Sequence, residues 1–158
     1  MVLPVTDAGF GARDGQAGEP MDGGNGPTDW PRVRRVRVVL ADDAADFREL
    51  MRHRLESDGR FVVVGEAANG REAVELAEEH HPDVVVMDLA MPVMDGLEAI
   101  GEVRDRVPDT KSVVLTSFDA RSLADRATRL GAFCYLEKGT AIEDILTVLA
   151  PLSPPEFE

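Results

Sequence analysis

Four runs of β-branched and apolar residues in this 158-residue chain each lead into side chains able to do chemistry. Asp42 and Asp43 follow Val36-Arg37-Val38-Val39-Leu40, and Asp88 follows Val84-Val85-Val86-Met87. Thr116 follows Val113-Val114-Leu115, and Lys138 lies just beyond Phe133-Cys134-Tyr135-Leu136. In a parallel α/β sheet the carboxyl ends of the strands open onto the ligand crevice, so residues far apart in sequence converge there. Three carboxylates, one hydroxyl and one ammonium gathered in this way make a site that accepts a phosphoryl group.

Each member also has an ordinary reading. Asp is a preferred N-cap, and a helix is expected to begin at Asp42-Asp43, so capping accounts for one of the pair. It does not account for both beside Asp88, because carboxylates about 4 Å apart repel by several kcal/mol at an effective dielectric near 20. A cation relieves that repulsion. Mg²⁺ takes octahedral oxygen ligands, keeps several waters and bridges one or two carboxylates to a phosphate, which makes it the implied cofactor. Asp88 ends the most apolar strand and precedes Leu89-Ala90-Met91-Pro92-Val93-Met94-Asp95-Gly96, a loop punctuated by Pro and Gly. A carboxylate so placed can attack phosphorus and form an acyl phosphate. Lys138 offers a compact ammonium on a long stem for Asp88 and for phosphoryl oxygens. Taken singly, Lys138 reads as a surface lysine and Thr116 as a strand residue; position gives them their roles.

The elements that must position these groups alternate regularly from Arg32 onward. Five strands are expected at 36–41, 61–66, 83–88, 111–116 and 132–136, with helices filling the gaps, the signature of repeated βα units. The first helix sets Phe47, Leu50, Met51 and Leu55 on one stripe and stops near Gly59. The second opens at Asn69-Gly70 and buries Ala73, Val74 and Ala77. Three more cover about 95–107, 119–130 and 140–150, the last with Ile142, Ile145, Leu146 and Leu149 before Pro151 ends the pattern.

Residues 1–31 hold half of the 14 glycines and four of the ten prolines and read as a disordered tail, in which only Trp30 has the makings of an anchor. Residues 32–150 are the expected domain, and 151–158 a frayed end or the start of a linker. A net charge of -13, from 17 basic and 30 acidic side chains, opposes direct binding of nucleic acid or anionic membrane. Cys134 is the only cysteine, so no intramolecular disulfide forms, and the default compartment is the cytoplasm. It is expected to pack in a strand. No run is long and apolar enough to span a membrane, and no phosphate-binding glycine loop occurs. His80 and His81 lack a second ligand pair at zinc spacing and read as a solvated helix end. The Arg32, Arg34, Arg35, Arg37 run reads as a solvated edge rather than a contact for an acidic partner.

Together, Asp42-Asp43, the 84–96 stretch, Leu115-Thr116-Ser117 and Tyr135-Leu136-Glu137-Lys138 resemble, in order and spacing, the receiver domain of bacterial two-component response regulators. The resemblance covers about residues 34–150. It implies a flavodoxin-like (βα)5 doubly wound parallel sheet of strand order 2-1-3-4-5, and phosphorylation of Asp88 by a sensor histidine kinase. It implies that Asp43, Asp88 and the backbone carbonyl of Ala90 ligate Mg²⁺, with Asp42 acting through water. Thr116 and Tyr135 resemble the switch pair, whose rearrangement changes the face of the fourth helix, fifth strand and fifth helix for a downstream partner or homodimerisation. On a strand, Tyr135 points away from Cys134 and Leu136.

The chain departs from the pattern in three places. Ala90 replaces the polar side chain many members carry two residues after the phosphoacceptor, and Phe118 stands two residues after Thr116. Both flank the path of an attacking water, so acyl-phosphate hydrolysis is expected to differ from that of rapid chemotaxis-type receivers. Gly139 stands where many receivers have proline, so no cis peptide is expected there. The 115–119 and 135–139 segments look most like receivers joined to helix-turn-helix DNA-binding domains, and the chain reads as a stand-alone or an excised receiver. Two other functions compete with the phospho-switch. A phosphotransfer enzyme acting on small substrates commonly needs a second carboxylate at position 90. A non-phosphorylated, receiver-like interaction module would not need the intact acid cluster.

Overall fold

The computed structural model describes residues 34–117 and 121–153. Residues 1–33, with Trp30 and Arg32, residues 118–120, with Phe118 and the expected start of the fourth helix, and residues 154–158 lie outside them. Among the described residues five strands alternate with five helices: β1 (Val36–Ala41), α1 (Ala45–Asp58), β2 (Phe61–Ala67), α2 (Gly70–His80), β3 (Val84–Met87), α3 (Gly96–Arg106), β4 (Lys111–Thr116), α4 (Arg121–Leu130), β5 (Ala132–Glu137) and α5 (Ile142–Leu149). The strands form one parallel sheet in the order β2-β1-β3-β4-β5, the expected flavodoxin-like 2-1-3-4-5 arrangement.

Strand alternation splits the core into two layers. Val39, Ala41, Val85, Met87 and Val114 face α2, α3 and α4, where Ala73, Val74, Ala77, Ala99, Ile100, Val103 and Ala127 cover them. Val38, Leu40, Val84, Val86, Val113 and Leu115 face α1 and α5, against Met51, Leu55, Ile145, Leu146 and Leu149. β3 is buried on both sides, which explains its unbroken Val-Val-Val-Met run. At the rim, Tyr135 packs into the first layer while Cys134 and Leu136 pack into the second, as the alternation requires. Burial raises the Cys134 thiol pKa and leaves it a packing residue.

Local chemistry sets the element ends. Gly59 stops α1 in the left-handed conformation, at φ 89°. Asn69 and Asp95 cap α2 and α3 by accepting the amides of Glu72 and Glu98. All described peptide bonds, Lys138–Gly139 included, are trans.

Four details differ from the sequence reading. Leu50 is not part of the buried stripe of α1; it is 54% exposed, because at about 100° per residue it lies some 140° around the helix from Leu55. The cap of α1 is Ala44, with no side-chain bond, so neither Asp42 nor Asp43 caps that helix. Two members of the arginine run turn inward, while Arg35 faces solvent as expected and Arg32 lies outside the described residues: Arg34 grips both oxygens of buried Asp83 at 3.0 and 2.9 Å, and Arg37 donates to the carbonyls of His80 and His81 that end α2. The core also continues past Pro151, since Leu152 is buried beside α5 in a short 3₁₀ turn (Ala150–Leu152).

Candidate functional site

The sheet register brings the chemistry-bearing strand ends to one edge. Ala41 pairs with Met87 and Met87 with Val114, so Asp42 and Asp88 leave neighbouring strands at the same level. The Asp88 amide donates to the Ala41 carbonyl at 2.9 Å, and the Lys138 amide donates to the Thr116 carbonyl at 2.9 Å. These main-chain bonds place each residue before any side-chain interaction forms.

Carboxylate oxygens of Asp42, Asp43 and Asp88 lie within 4.8 Å of one another. Asp42 and Asp88 are buried, while Asp43 faces solvent. The Lys138 ammonium reaches into this cluster, 2.6 Å from Asp42 Oδ2 and 3.3 Å from Asp88 Oδ2. Asp42 Oδ1 accepts the Ala44 amide at 2.8 Å, which uses the aspartate to shape the β1–α1 turn. Burial pushes the Asp42 pKa up, and the charge of Asp88 adds to that, against the Lys138 and Ala44 hydrogen bonds. Burial disfavours the Lys138 charge, but its hydrogen bond to Asp42 and the charges of Asp88 and Asp42 outweigh this and raise its pKa. The cluster therefore has an appetite for positive charge that one ammonium, shared between two of three carboxylates, satisfies in part.

The loop after β3 is held on both sides. Leu89, Met91 and Met94 are buried in the α2–α4 layer, while Ala90, Pro92 and Val93 face solvent. Two glycines allow the backbone to close up. A Cβ on Gly96 would collide with the Asp88 carbonyl oxygen and the Leu89 Cα, and one on Gly70 would collide with the Met94 carbonyl. Instead, the amides of Gly96 and Gly70 donate to the Leu89 and Met94 carbonyls at 3.0 and 2.8 Å. The Ala90 amide leans on Asp88 Oδ1 at 3.4 Å. Val93, a β-branched residue at φ 68°, carries the backbone strain of this turn.

The structure thus brings Asp42, Asp43, Asp88 and Lys138 together. Thr116 is fully buried at the end of β4, and Tyr135 is half-buried on β5. Sequence reasoning missed two neighbours. Phe47, placed in the α1 stripe, lays its ring face 4.3 Å from the Lys138 nitrogen. Arg48 donates to the Asp42 carbonyl at 2.6 Å and to Glu66 at 3.1 Å, pinning the β1–α1 turn to β2. Neither carries a sequence signal, since any apolar residue fills an amphipathic stripe and any arginine suits a helix surface.

Comparison with known proteins agrees with this geometry. Residues 38–150 match the model of the response regulator receiver domain. The chain is 42% identical over 113 residues to the transcriptional regulatory protein PdtaR of Mycobacterium tuberculosis, covering 72% of this chain and 54% of that protein. It is 36% identical over 118 residues to the chemotaxis protein CheY of Halobacterium salinarum, covering 70% and 97%. Among solved structures, the signal receiver domain assigned to the response regulator NarL of Mycobacterium tuberculosis superimposes with a TM-score of 0.72 at 34% identity, covering 75% of this chain and 95% of that one. The chain spans about half the length of several curated relatives it matches, PdtaR included. With its sheet order, acid cluster and sequence all in agreement, the chain belongs to the response regulator receiver domains, the input modules of phosphorylation-controlled two-component signalling.

Proposed function

We propose that Asp88 is the phosphoacceptor of this chain. The observation that carries the reading is the Lys138 ammonium shared between Asp42 and Asp88, which makes Asp88 a carboxylate held beside a fixed positive charge. In the proposed step an Asp88 carboxylate oxygen attacks phosphorus and a new O–P bond forms. The P–N bond to a kinase phosphohistidine breaks, and its electron pair leaves with the imidazole. The Lys138 ammonium stabilises charge on the phosphoryl oxygens. The Thr116 hydroxyl then bonds one of those oxygens, and Tyr135 follows as the second member of the switch.

The residues present fit a divalent cation. Three carboxylates within 4.8 Å leave charge that one ammonium does not balance, and hard oxygen donors suit Mg²⁺. Asp43, Asp88 and the Ala90 carbonyl would hold it, with Asp42 through water, and it would supply charge neutralisation at the phosphoryl group.

The proposed donor is a sensor histidine kinase on the cytoplasmic side. The proposed output is a change in the α4, β5 and α5 face, read by a downstream protein or a second copy; among the described residues no helix is long and apolar enough to cross a membrane. Intact mass after incubation with Mg²⁺ and acetyl phosphate tests the reading. One phosphoryl group gained by the native chain and none by Asp88→Asn is the expected result; equal labelling of both contradicts it.

A further inference from the structure

We propose that Phe47 is a positioning residue for Lys138, its ring face holding the ammonium in reach of both Asp42 and Asp88. This deepens the phosphoacceptor reading and rests on it. Lys138 reaches the site on a long stem with four rotatable bonds, and the residue after it does little to steer it: Gly139 is exposed, with open space where a side chain would begin. Two carboxylates draw the nitrogen from one side, at 2.6 and 3.3 Å. The Phe47 ring closes another, at 4.3 Å from its centroid, well inside the ~6 Å within which a ring face attracts a cation.

The ring is itself fixed. Phe47 enters the first turn of α1, packs against the layer containing Met51, Leu55 and Leu115, and lines one small recess together with Asp42, Asp88 and Met51. An ammonium held by carboxylates alone can swing toward Asp42, the nearer of the two. A ring face on the same nitrogen limits that swing and keeps the charge available to Asp88. Leucine at position 47 would satisfy the apolar stripe equally well, so packing alone does not require an aromatic residue there.

The test compares Phe47→Leu, Phe47→Tyr and a series of ring-fluorinated phenylalanines at position 47, which withdraw π density at nearly constant volume. Two quantities are read. The first is the ring-current upfield shift of the Lys138 ε-methylene protons in metal-free protein; the second is the rate of phosphorylation by acetyl phosphate. The native chain and Phe47→Tyr should show the upfield shift and similar rates. Phe47→Leu should lose the shift and phosphorylate about fivefold more slowly, equivalent to ~1 kcal/mol, with the rate falling stepwise along the fluorinated series. Should Phe47→Leu fail to fold, the fluorinated chains still decide. A native rate in Phe47→Leu, a flat fluorination series, or no upfield shift in the native chain overturns the proposal. A native chain that shows the shift but takes no phosphoryl group overturns the phosphoacceptor reading instead and supports the ring–ammonium pairing.

Discussion

Replacing Gly96 by alanine adds one methyl group where the chain has no room for it. The new carbon would meet the Asp88 carbonyl oxygen and lie 2.8 Å from the Leu89 Cα, and both are main chain, so no side-chain rotation relieves the clash. Overfilling a packed site costs about 1–3 kcal/mol, while the stiffer unfolded chain returns about 0.4–1 kcal/mol, a net loss of ~1.5 kcal/mol. With a urea slope of about 1.5 kcal/mol/M, the unfolding midpoint falls by ~1 M. The displaced atoms belong to the phosphoacceptor itself, and misplacement by about 1 Å can cost a hundredfold in rate, so labelling by acetyl phosphate should drop at least about tenfold. Gly139→Ala is the control, since nothing lies within 4 Å of its Cβ position, and it should be neutral or slightly stabilising. A Gly96→Ala chain with native midpoint and native labelling would refute the claim that this glycine lets the loop close onto Asp88.

Three further changes probe the charges. Lys138→Met keeps a stem against Phe47 but leaves Asp42 and Asp88 facing each other; with Lys138 20% exposed, the metal-free chain should lose about 1–2 kcal/mol in urea unfolding, and Mg²⁺ should stabilise this variant more than the native chain. Burial raises the folded-state pKa of Asp42 above 3.8, so its favourable contribution is complete below pH 3.8 and lost as pH rises through the raised value. In chelator, Asp42→Asn should therefore gain stability relative to the native chain as pH rises across that window, and a constant difference from acid to neutral pH would contradict this. Arg34→Ala removes the two-pronged partner of buried Asp83 and should cost about 1–3 kcal/mol, read by denaturant midpoint, although it lies at the opposite end of the strands from the acid cluster.

The parallel sheet was readable because its strands are short, β-branched and separated by helical periods. Apolar runs such as 84–87 mark a strand buried on both faces without any knowledge of its neighbours. Asp42, Asp43, Asp88 and Lys138 were readable as a set because topology alone carries strand ends together. Side-chain direction was less legible: Leu50 follows Phe47 at i+3 spacing, yet it faces solvent because it lies at the far edge of that stripe from Leu55 and the packing covers only the Met51–Leu55 side of α1. Arg34 and Arg37 look like a solvated basic run until Asp83, 49 residues from Arg34, is brought beside them. Phe47 and Arg48 act on the site through contacts that leave no motif, and the closeness of Gly96 to Asp88 depends on how tightly the loop folds back.

The central claim is that Asp88, among three neighbouring aspartates, takes the phosphoryl group. Borohydride reduces an acyl phosphate to the alcohol, so treatment of the acetyl-phosphate-labelled chain followed by peptide mapping marks the modified carboxylate as homoserine. Homoserine at position 88, with unmodified Asp at 42 and 43, is the predicted result. Homoserine at 42 or 43, or at none of the three in a chain whose mass shows phosphorylation, would contradict it.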